Sequence, residues 1–261
     1  MYSKNKILHN RVAKVLDILS KLKENDRYRA CLIFGSIVRG EFINGSDVDV
    51  KVVIGKGEHH PELNHLYIDG FKLDISFNSI ENLRKDTEKE LERAKRIPIV
   101  SESIILFDKD GELKKLIQDA RKKMLPKKYE KSKHDWVRFV ILNEDLKVRR
   151  NLEKDPIAAD LVMHTGLGDI VDMYYQIAGR WHTSNKKTLT DLKKWDPKLR
   201  NLLIKLMQSK NMKDKFSRWT IMIDYILNKI GGRIDIEKTG CNCKICRQDI
   251  SYLKNLVKKS Y

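Results

Sequence analysis

The segment FGSIVRGEFINGSDVDVKVVI, residues 34–54, has two acidic residues, Asp47 and Asp49, at the beginning of a valine-rich run that is typical of a buried β-strand. Successive side chains of a strand point to opposite faces, so the two aspartates share one face and lie about 6 to 7 Å apart along the chain. Like charges at this distance repel each other unless a positive charge lies between them. The pattern therefore predicts a strand that carries a site for a divalent cation.

The beginning of the same segment indicates an anion site. The run ACLIF is typical of a second buried strand, Gly35 and Ser36 interrupt it, and SIVRGEF is expected to form a short helix. A turn that opens a helix offers backbone N–H groups, a hydroxyl and a positive helix end to an anion. Arg39, one helical turn later, adds a positive charge. We therefore predict that Gly35, Ser36 and Arg39 bind phosphate groups.

A third carboxylate is predicted on a neighbouring element. The run HLYIDGFKLDISF is typical of a β-hairpin, because two alternating segments flank Asp69-Gly70, a pair suited to a type I′ turn. Within its second strand Asp74 lies on the polar face. A phosphate-binding turn followed by three carboxylates is what metal-dependent phosphoryl or nucleotidyl transfer requires, with Mg²⁺ as the cation and two metal ions sharing the carboxylates. Taken singly, each feature is more typical of an ordinary turn or an exposed strand residue.

The remaining sequence indicates an α+β protein. With 261 residues, of which 41% are hydrophobic, the chain can form one large or two ordinary domains. A charged helix and an extended apolar segment follow the hairpin. From Lys127 onward almost only helical patterns occur, with a break at Pro156 and a capped helix start at Asp196-Pro197. We expect a small mixed-sheet domain in residues 1–115 and an all-helical domain in residues 116–261.

The net charge of +17 is distributed unevenly. Residues 1–110 contain 19 Lys and Arg against 18 Asp and Glu, whereas residues 111–261 contain 34 against 18. A basic second half favours a polyanionic partner, such as nucleotide phosphates, RNA or DNA. Solvated, lysine-rich helix faces explain the same composition, because the lysines alternate with acidic and apolar residues.

Cysteine content and hydropathy restrict the cellular setting. Four cysteines are too few for a disulfide scaffold, and three of them, Cys241, Cys243 and Cys246, are expected to be reduced thiols rather than zinc ligands, because no fourth ligand lies nearby. No apolar run approaches the ~20 residues that span a bilayer, and the N-terminus lacks the apolar core of a signal peptide. We expect a cytoplasmic protein with no membrane partner.

The motif GSIVRGEFINGSDVDV resembles the signature of the nucleotidyltransferase superfamily that includes DNA polymerase β. Beyond this motif the chain is most similar to antibiotic adenylyltransferases of the kanamycin nucleotidyltransferase type, through the segments KLDISFNS, SIILFDKDGELKKLIQDARKK and LNEDL. The resemblance extends over residues 30–190. It implies a nucleotidyltransferase catalytic domain followed by a helical substrate-binding domain, and it suggests a homodimer.

The resemblance also implies roles for individual residues. Ser36 is expected to contact the triphosphate, Asp47 and Asp49 to bind magnesium, and Asp74 to be the third carboxylate, although glutamate is more common there. The general base is expected to be Glu144, with Asp145 as the second choice.

The expected reaction is transfer of a nucleoside monophosphate, AMP from ATP in the first instance, to a hydroxyl of a small molecule such as an aminoglycoside or lincosamide, with release of pyrophosphate. An RNA or protein acceptor is one alternative, with nucleic acid less favoured because no RNA-binding motif is visible. A catalytically idle regulatory or nucleic-acid-binding protein on the same fold is the other, and the intact Ser36, Asp47, Asp49 and Asp74 disfavour it.

Overall fold

A computed structural model of the chain describes residues 2–41, 43, 45–55, 60–93, 95–124, 133–235 and 244–259. The chain divides into two compact units. The first comprises Met1–Lys127 and Gly179–Thr183, and the second comprises Lys128–Ala178 and Ser184–Tyr261. The division predicted between residues 115 and 116 falls inside a helix of the first unit, and the separate roles assigned to the two parts stay predictions.

The first unit contains a mixed β-sheet, whose strands within the described residues are β1 (Tyr28–Phe34), β2 (Val48–Ile54), β3 (His60–Ile68), β4 (Phe71–Ser79) and β5 (Ile104–Asp108). Their order in the sheet is β3-β4-β2-β1-β5. The central pair β2 and β4 is parallel, and the other neighbouring strands are antiparallel. The predicted hairpin is confirmed, because Asp69 and Gly70 have φ angles of 50° and 78°, as a type I′ turn requires.

Helices pack on the sheet through alternate residues of its strands. Val15 and Leu19 of α1 (Tyr2–Ser20) share a buried cluster with Val50 and Val52 of β2. Val53 belongs to a different cluster, which contains residues of α2 (Ile80–Arg93) and α3 (Glu112–Lys123). Because side chains alternate along β2, Asp49 points to the same side of the sheet as Val53.

Two local predictions are wrong. Residues 35–40 form successive turns and not a helix. The Glu41 N–H donates to the Ser36 carbonyl at 3.0 Å across Gly40, whose φ is 71°, so the chain closes a single helical turn and leaves it at once. The polar run GKGEHHPELN predicts a loop over residues 55–64, but β3 begins at His60, within this run.

The second unit is helical in its described residues, and the predicted α+β sheet domain followed by helices is confirmed. Its helices are α4 (His134–Leu152), α5 (Pro156–Ile177), α6 (Thr188–Trp195), α7 (Pro197–Met207), α8 (Met212–Leu227) and α9 (Lys244–Lys259). One apolar cluster joins residues of α4 to α8 around Trp219, which is fully buried. Among the described residues, no helix has the length and apolar character needed to cross a membrane. Cys241 and Cys243 lie outside the described residues and only the backbone of Cys246 is described, so the expectation for these thiols stays a prediction.

Helices α5 and α7 begin with the same Asp-Pro pair. Asp155 accepts the Ala158 N–H at 2.9 Å and Asp196 accepts the Leu199 N–H at 3.0 Å, so each aspartate caps its helix. A proline at the first helical position adds a preset φ angle.

Only the second of these caps is buried, with 7% of Asp196 exposed. Asp196 also accepts hydrogen bonds from the hydroxyls of Tyr174 and of Tyr225, the latter at 2.9 Å. Burial raises the pKa of Asp196, but the hydrogen bonds from Leu199 and the two tyrosines outweigh it and hold the pKa below its usual value. The carboxylate therefore joins α5, α7 and α8 as well as capping α7.

We expect Asp196→Ala to lower the free energy of unfolding more than Asp155→Ala, because it leaves the buried Tyr174 hydroxyl and the partly buried Tyr225 hydroxyl without their acceptor. The cap alone is worth about 1 kcal/mol, and each buried donor that loses its partner adds about 1 to 3 kcal/mol. Urea denaturation at neutral pH measures the difference. Since the folded-state pKa of Asp196 is lowered, the stabilisation by its carboxylate is lost as the pH falls. The difference in free energy of unfolding between wild type and Asp196→Ala should therefore become smaller at acidic pH. Equal effects of the two substitutions would contradict this account.

Candidate functional site

The pairing of β2 with β4 brings the predicted carboxylates together. In this parallel pair Asp49 lies opposite Asp74, and Asp47 precedes β2 by one residue. Asp47 is exposed, Asp49 is half-buried and Asp74 is 9% exposed. Three carboxylates thus gather where the beginning of β2 lies beside β4.

The Gly-Ser turn lies directly beside this cluster. Phe34, the last residue of β1, is paired with Asp49, so the chain leaves the sheet next to that carboxylate. Gly35 has a φ of 78°, and a Cβ atom at this position would overlap the Asp49 Oδ2 atom. A side chain here would therefore displace the carboxylate, and the close approach of turn and aspartate requires glycine.

Asp74 is held by two neighbours that the sequence analysis did not single out. Its Oδ1 atom is 2.8 Å from Lys72 Nζ and 2.7 Å from His65 Nδ1. Burial raises the pKa of Asp74, but the contacts with Lys72 and His65 outweigh burial and place the pKa below its usual value. Asp74 is therefore a carboxylate at neutral pH.

The register of the hairpin could have revealed both neighbours. Counting back from the Asp69-Gly70 turn pairs His65 with Asp74 and Tyr67 with Lys72. Lys72 and Asp74 are two residues apart on one strand and so share a face. The sequence therefore contained this signal, in the type I′ turn that sets the pairing.

The cluster suits a hard divalent cation in the kind of its donors, since Mg²⁺ prefers carboxylate oxygens. Within the part of the chain that the structure describes, no three histidine, cysteine or acidic side chains are arranged to hold a metal ion. Asp74 is instead held by Lys72 and His65.

Arg39 lies in the same turn as Ser36 and forms two ion pairs. Its Nε is 3.1 Å from Glu41 and its Nη1 is 3.2 Å from Glu102. The guanidinium is therefore fixed at the turn, with its charge balanced by two glutamates.

The two candidates for a general base are adjacent residues of α4 with different surroundings. The Glu144 side chain is 22% exposed and its Oε1 lies 2.6 Å from Lys147 Nζ. Asp145 is 1% exposed and accepts hydrogen bonds from Trp219 at 3.0 Å, Arg149 at 3.0 Å and Arg233 at 2.8 Å. Asp145 is thus a buried structural carboxylate, and Glu144 is the accessible one.

The sequence model of the nucleotidyltransferase domain matches residues 12–165, more than half of the chain. A crystal structure of a nucleotidyltransferase-like protein from Exiguobacterium sibiricum is similar with a TM-score of 0.48 and 12% identity, over 85% of this chain and 74% of that one. A comparison with curated proteins finds no match. The matched segment includes the Gly-Ser turn and all three aspartates of the cluster. On the strength of the family model, this chain belongs to the nucleotidyltransferase domain family.

Proposed function

We propose that the protein is a magnesium-dependent nucleotidyltransferase that moves a nucleoside monophosphate, AMP from ATP, to a hydroxyl of a small molecule and releases pyrophosphate. The observation that carries this proposal is the parallel register that sets Asp49 opposite Asp74, with the Gly-Ser turn packed against Asp49. Carboxylates beside an anion-binding turn are what transfer of a phosphoryl group from a metal-bound triphosphate requires.

In this proposal Asp47, Asp49 and Asp74 hold the divalent cation. The bound cation would stabilise negative charge on the transferred phosphate and make the acceptor hydroxyl easier to deprotonate. Gly35 and Ser36 bind the triphosphate through backbone N–H groups and the Ser36 hydroxyl. Arg39 supplies positive charge to the same phosphates, and it exchanges Glu41 or Glu102 for them.

Glu144 is the proposed general base. Its carboxylate is accessible, its neighbour across the helix pair is Gly166, and a Cβ at that glycine would approach Glu144 Oε2 to 3.3 Å. The absence of a side chain at residue 166 leaves room for this carboxylate. The surroundings of Asp145 argue against the second choice, because this buried carboxylate is occupied by three hydrogen bonds and is not open to an acceptor hydroxyl.

The proposed acceptor is a neutral or cationic hydroxylated small molecule, as in the antibiotic adenylyltransferases that the sequence resembles. A net charge of +17 opposes the approach of a cation, but this repulsion is screened beyond ~8 Å at physiological salt. Close to the site the field is set by nearby groups, and the three aspartates are negative. The basic second half of the chain favours RNA as the rival acceptor.

One assay tests the function and separates the two acceptors. Pyrophosphate release is measured with each of the four ribonucleoside triphosphates against a panel of aminoglycosides, lincosamides and RNAs. We expect ATP-dependent release with a small molecule. Labelling of RNA alone, together with RNA binding that weakens steeply with salt, would replace the small-molecule proposal.

The metal role of Asp49 predicts that Asp49→Asn abolishes transfer in a folded protein. The substitution removes a cation ligand and relieves like-charge repulsion, so turnover should fall about 1000-fold while stability is retained. Asp69→Asn is the matched control, since it removes the same charge from the turn of the hairpin and asparagine tolerates the positive φ there. Full turnover of Asp49→Asn would exclude Asp49 from the site.

The packing of the turn predicts different results for two glycines of similar backbone conformation. Gly35→Ala and Gly40→Ala each place a side chain at a φ above 70°, which costs about 1 to 2 kcal/mol. At Gly40, however, no other atom of the described residues beyond its chain neighbours lies within 4 Å of the new Cβ. Only Gly35→Ala should displace Asp49, so only this variant should lose turnover and divalent-cation affinity. Steady-state kinetics and calorimetry measure the two effects. Similar losses in both variants would mean that backbone strain alone is responsible.

The surroundings of α4 predict opposite defects for its two acidic residues. Glu144→Gln should lower kcat by about 100-fold or more with little change in triphosphate affinity, because a base acts on the acceptor proton. Asp145→Asn should instead lower the free energy of unfolding by about 3 to 5 kcal/mol, because it breaks a buried ion pair. Turnover at substrate saturation and thermal unfolding are measured for both variants. A Glu144→Gln protein with normal turnover would remove Glu144 from the mechanism.

A further inference from the structure

We propose that Lys72 is the resident counter-cation of the carboxylate cluster formed by Asp47, Asp49 and Asp74, and that a divalent cation competes with the Lys72 ammonium for Asp74. The inference rests on the proposed function, because it concerns the same carboxylates. Lys72, which is not among the site residues predicted from the sequence, would then influence cation affinity directly.

The first argument is geometric. Lys72 and Asp74 share a face of β4, and the Lys72 ammonium lies 2.8 Å from Asp74 Oδ1. The same oxygen is 2.7 Å from His65 Nδ1, so it is engaged twice. A cation that coordinates Asp74 through this oxygen has to replace at least one of these partners.

The second argument is electrostatic. The Asp74 side chain is 12% exposed, and a carboxylate so far removed from water requires a compensating charge. Lys72 provides it, and its ammonium also interacts with Asp47. The ammonium therefore lies in the attractive field of two of the three carboxylates, where a divalent cation shared by them would be drawn.

The third argument concerns mobility of the ammonium. The Lys72 side chain is 36% exposed and carries its ammonium on a flexible four-carbon stem, so the ammonium can leave Asp74 without a change in the backbone. A free divalent cation must compete with this internal charge and should bind weakly. A cation that arrives with a triphosphate brings negative charge that stabilises the displaced ammonium, so cation and nucleotide should bind cooperatively.

The test measures Mn²⁺ affinity of the full chain by calorimetry and electron paramagnetic resonance, without nucleotide. Lys72→Met removes the competing charge and should tighten Mn²⁺ binding by about tenfold. Lys72→Arg retains the charge and should remain within about threefold of wild type. Lys109→Met is the matched control, because it removes a lysine ion-paired with Asp26 and lowers the net charge equally; its Mn²⁺ affinity should be unchanged.

A measurement on the wild-type protein covers the case in which Lys72→Met does not fold. In protein labelled with ¹⁵N-lysine, the Lys72 ammonium resonance, assigned with Lys72→Arg, should shift on titration with Mg²⁺, while that of Lys109 should not. A Lys72 resonance that does not respond to saturating Mg²⁺ contradicts displacement.

The outcomes distinguish this inference from the proposed function. If wild type binds Mn²⁺, Asp49→Asn does not, and Lys72→Met binds no more tightly than wild type, the cation site stands and the role of Lys72 is wrong. If wild type binds no divalent cation with or without nucleotide, both the cation site and the role of Lys72 are wrong.

Discussion

The parallel pairing of β2 with β4 is the constraint on which the site depends. It sets Asp49 opposite Asp74 on adjacent strands, which lie about 4.8 Å apart. Two carboxylates at this distance repel each other, and Asp74 is in addition withdrawn from water. The fold tolerates the arrangement because Val48, Val50 and Val52 bury the opposite face of β2 and keep the strand in place. Burial of apolar surface thus holds charges together that would separate by themselves.

The same register ties the anion-binding turn to the carboxylates. Because Phe34 is the partner of Asp49, β1 ends beside the cluster, and the chain can turn there only with a residue that has no side chain. Gly35 meets this requirement. A ligand held by the N–H groups of this turn would lie next to Asp49, so an anionic substrate and a divalent cation are expected to reinforce each other's binding.

The helical unit shows how neighbouring residues of one helix acquire different roles. Successive residues of an α-helix are rotated by about 100°, so Asp145 points into the core while Glu144 reaches the surface. Asp145 joins α4 to Trp219 of α8 and to Arg233, and Arg233 also pairs with Asp224 at 2.6 Å. An acidic pair that looks equivalent in the sequence therefore contains one structural and one accessible carboxylate.

The sequence by itself determined the features that depend on local preferences. The Asp69-Gly70 turn, the Asp-Pro helix starts and the alternating valines of β2 follow from allowed φ angles, capping and hydrophobic period, which act over a few residues. Only the tertiary structure decided which strand lies beside β2 and that Asp145 is buried. These contacts join segments whose distance along the chain carries no information about their distance in space. The turn at residues 35–40 is another departure from the prediction, because Gly40 ends the expected helix after one turn.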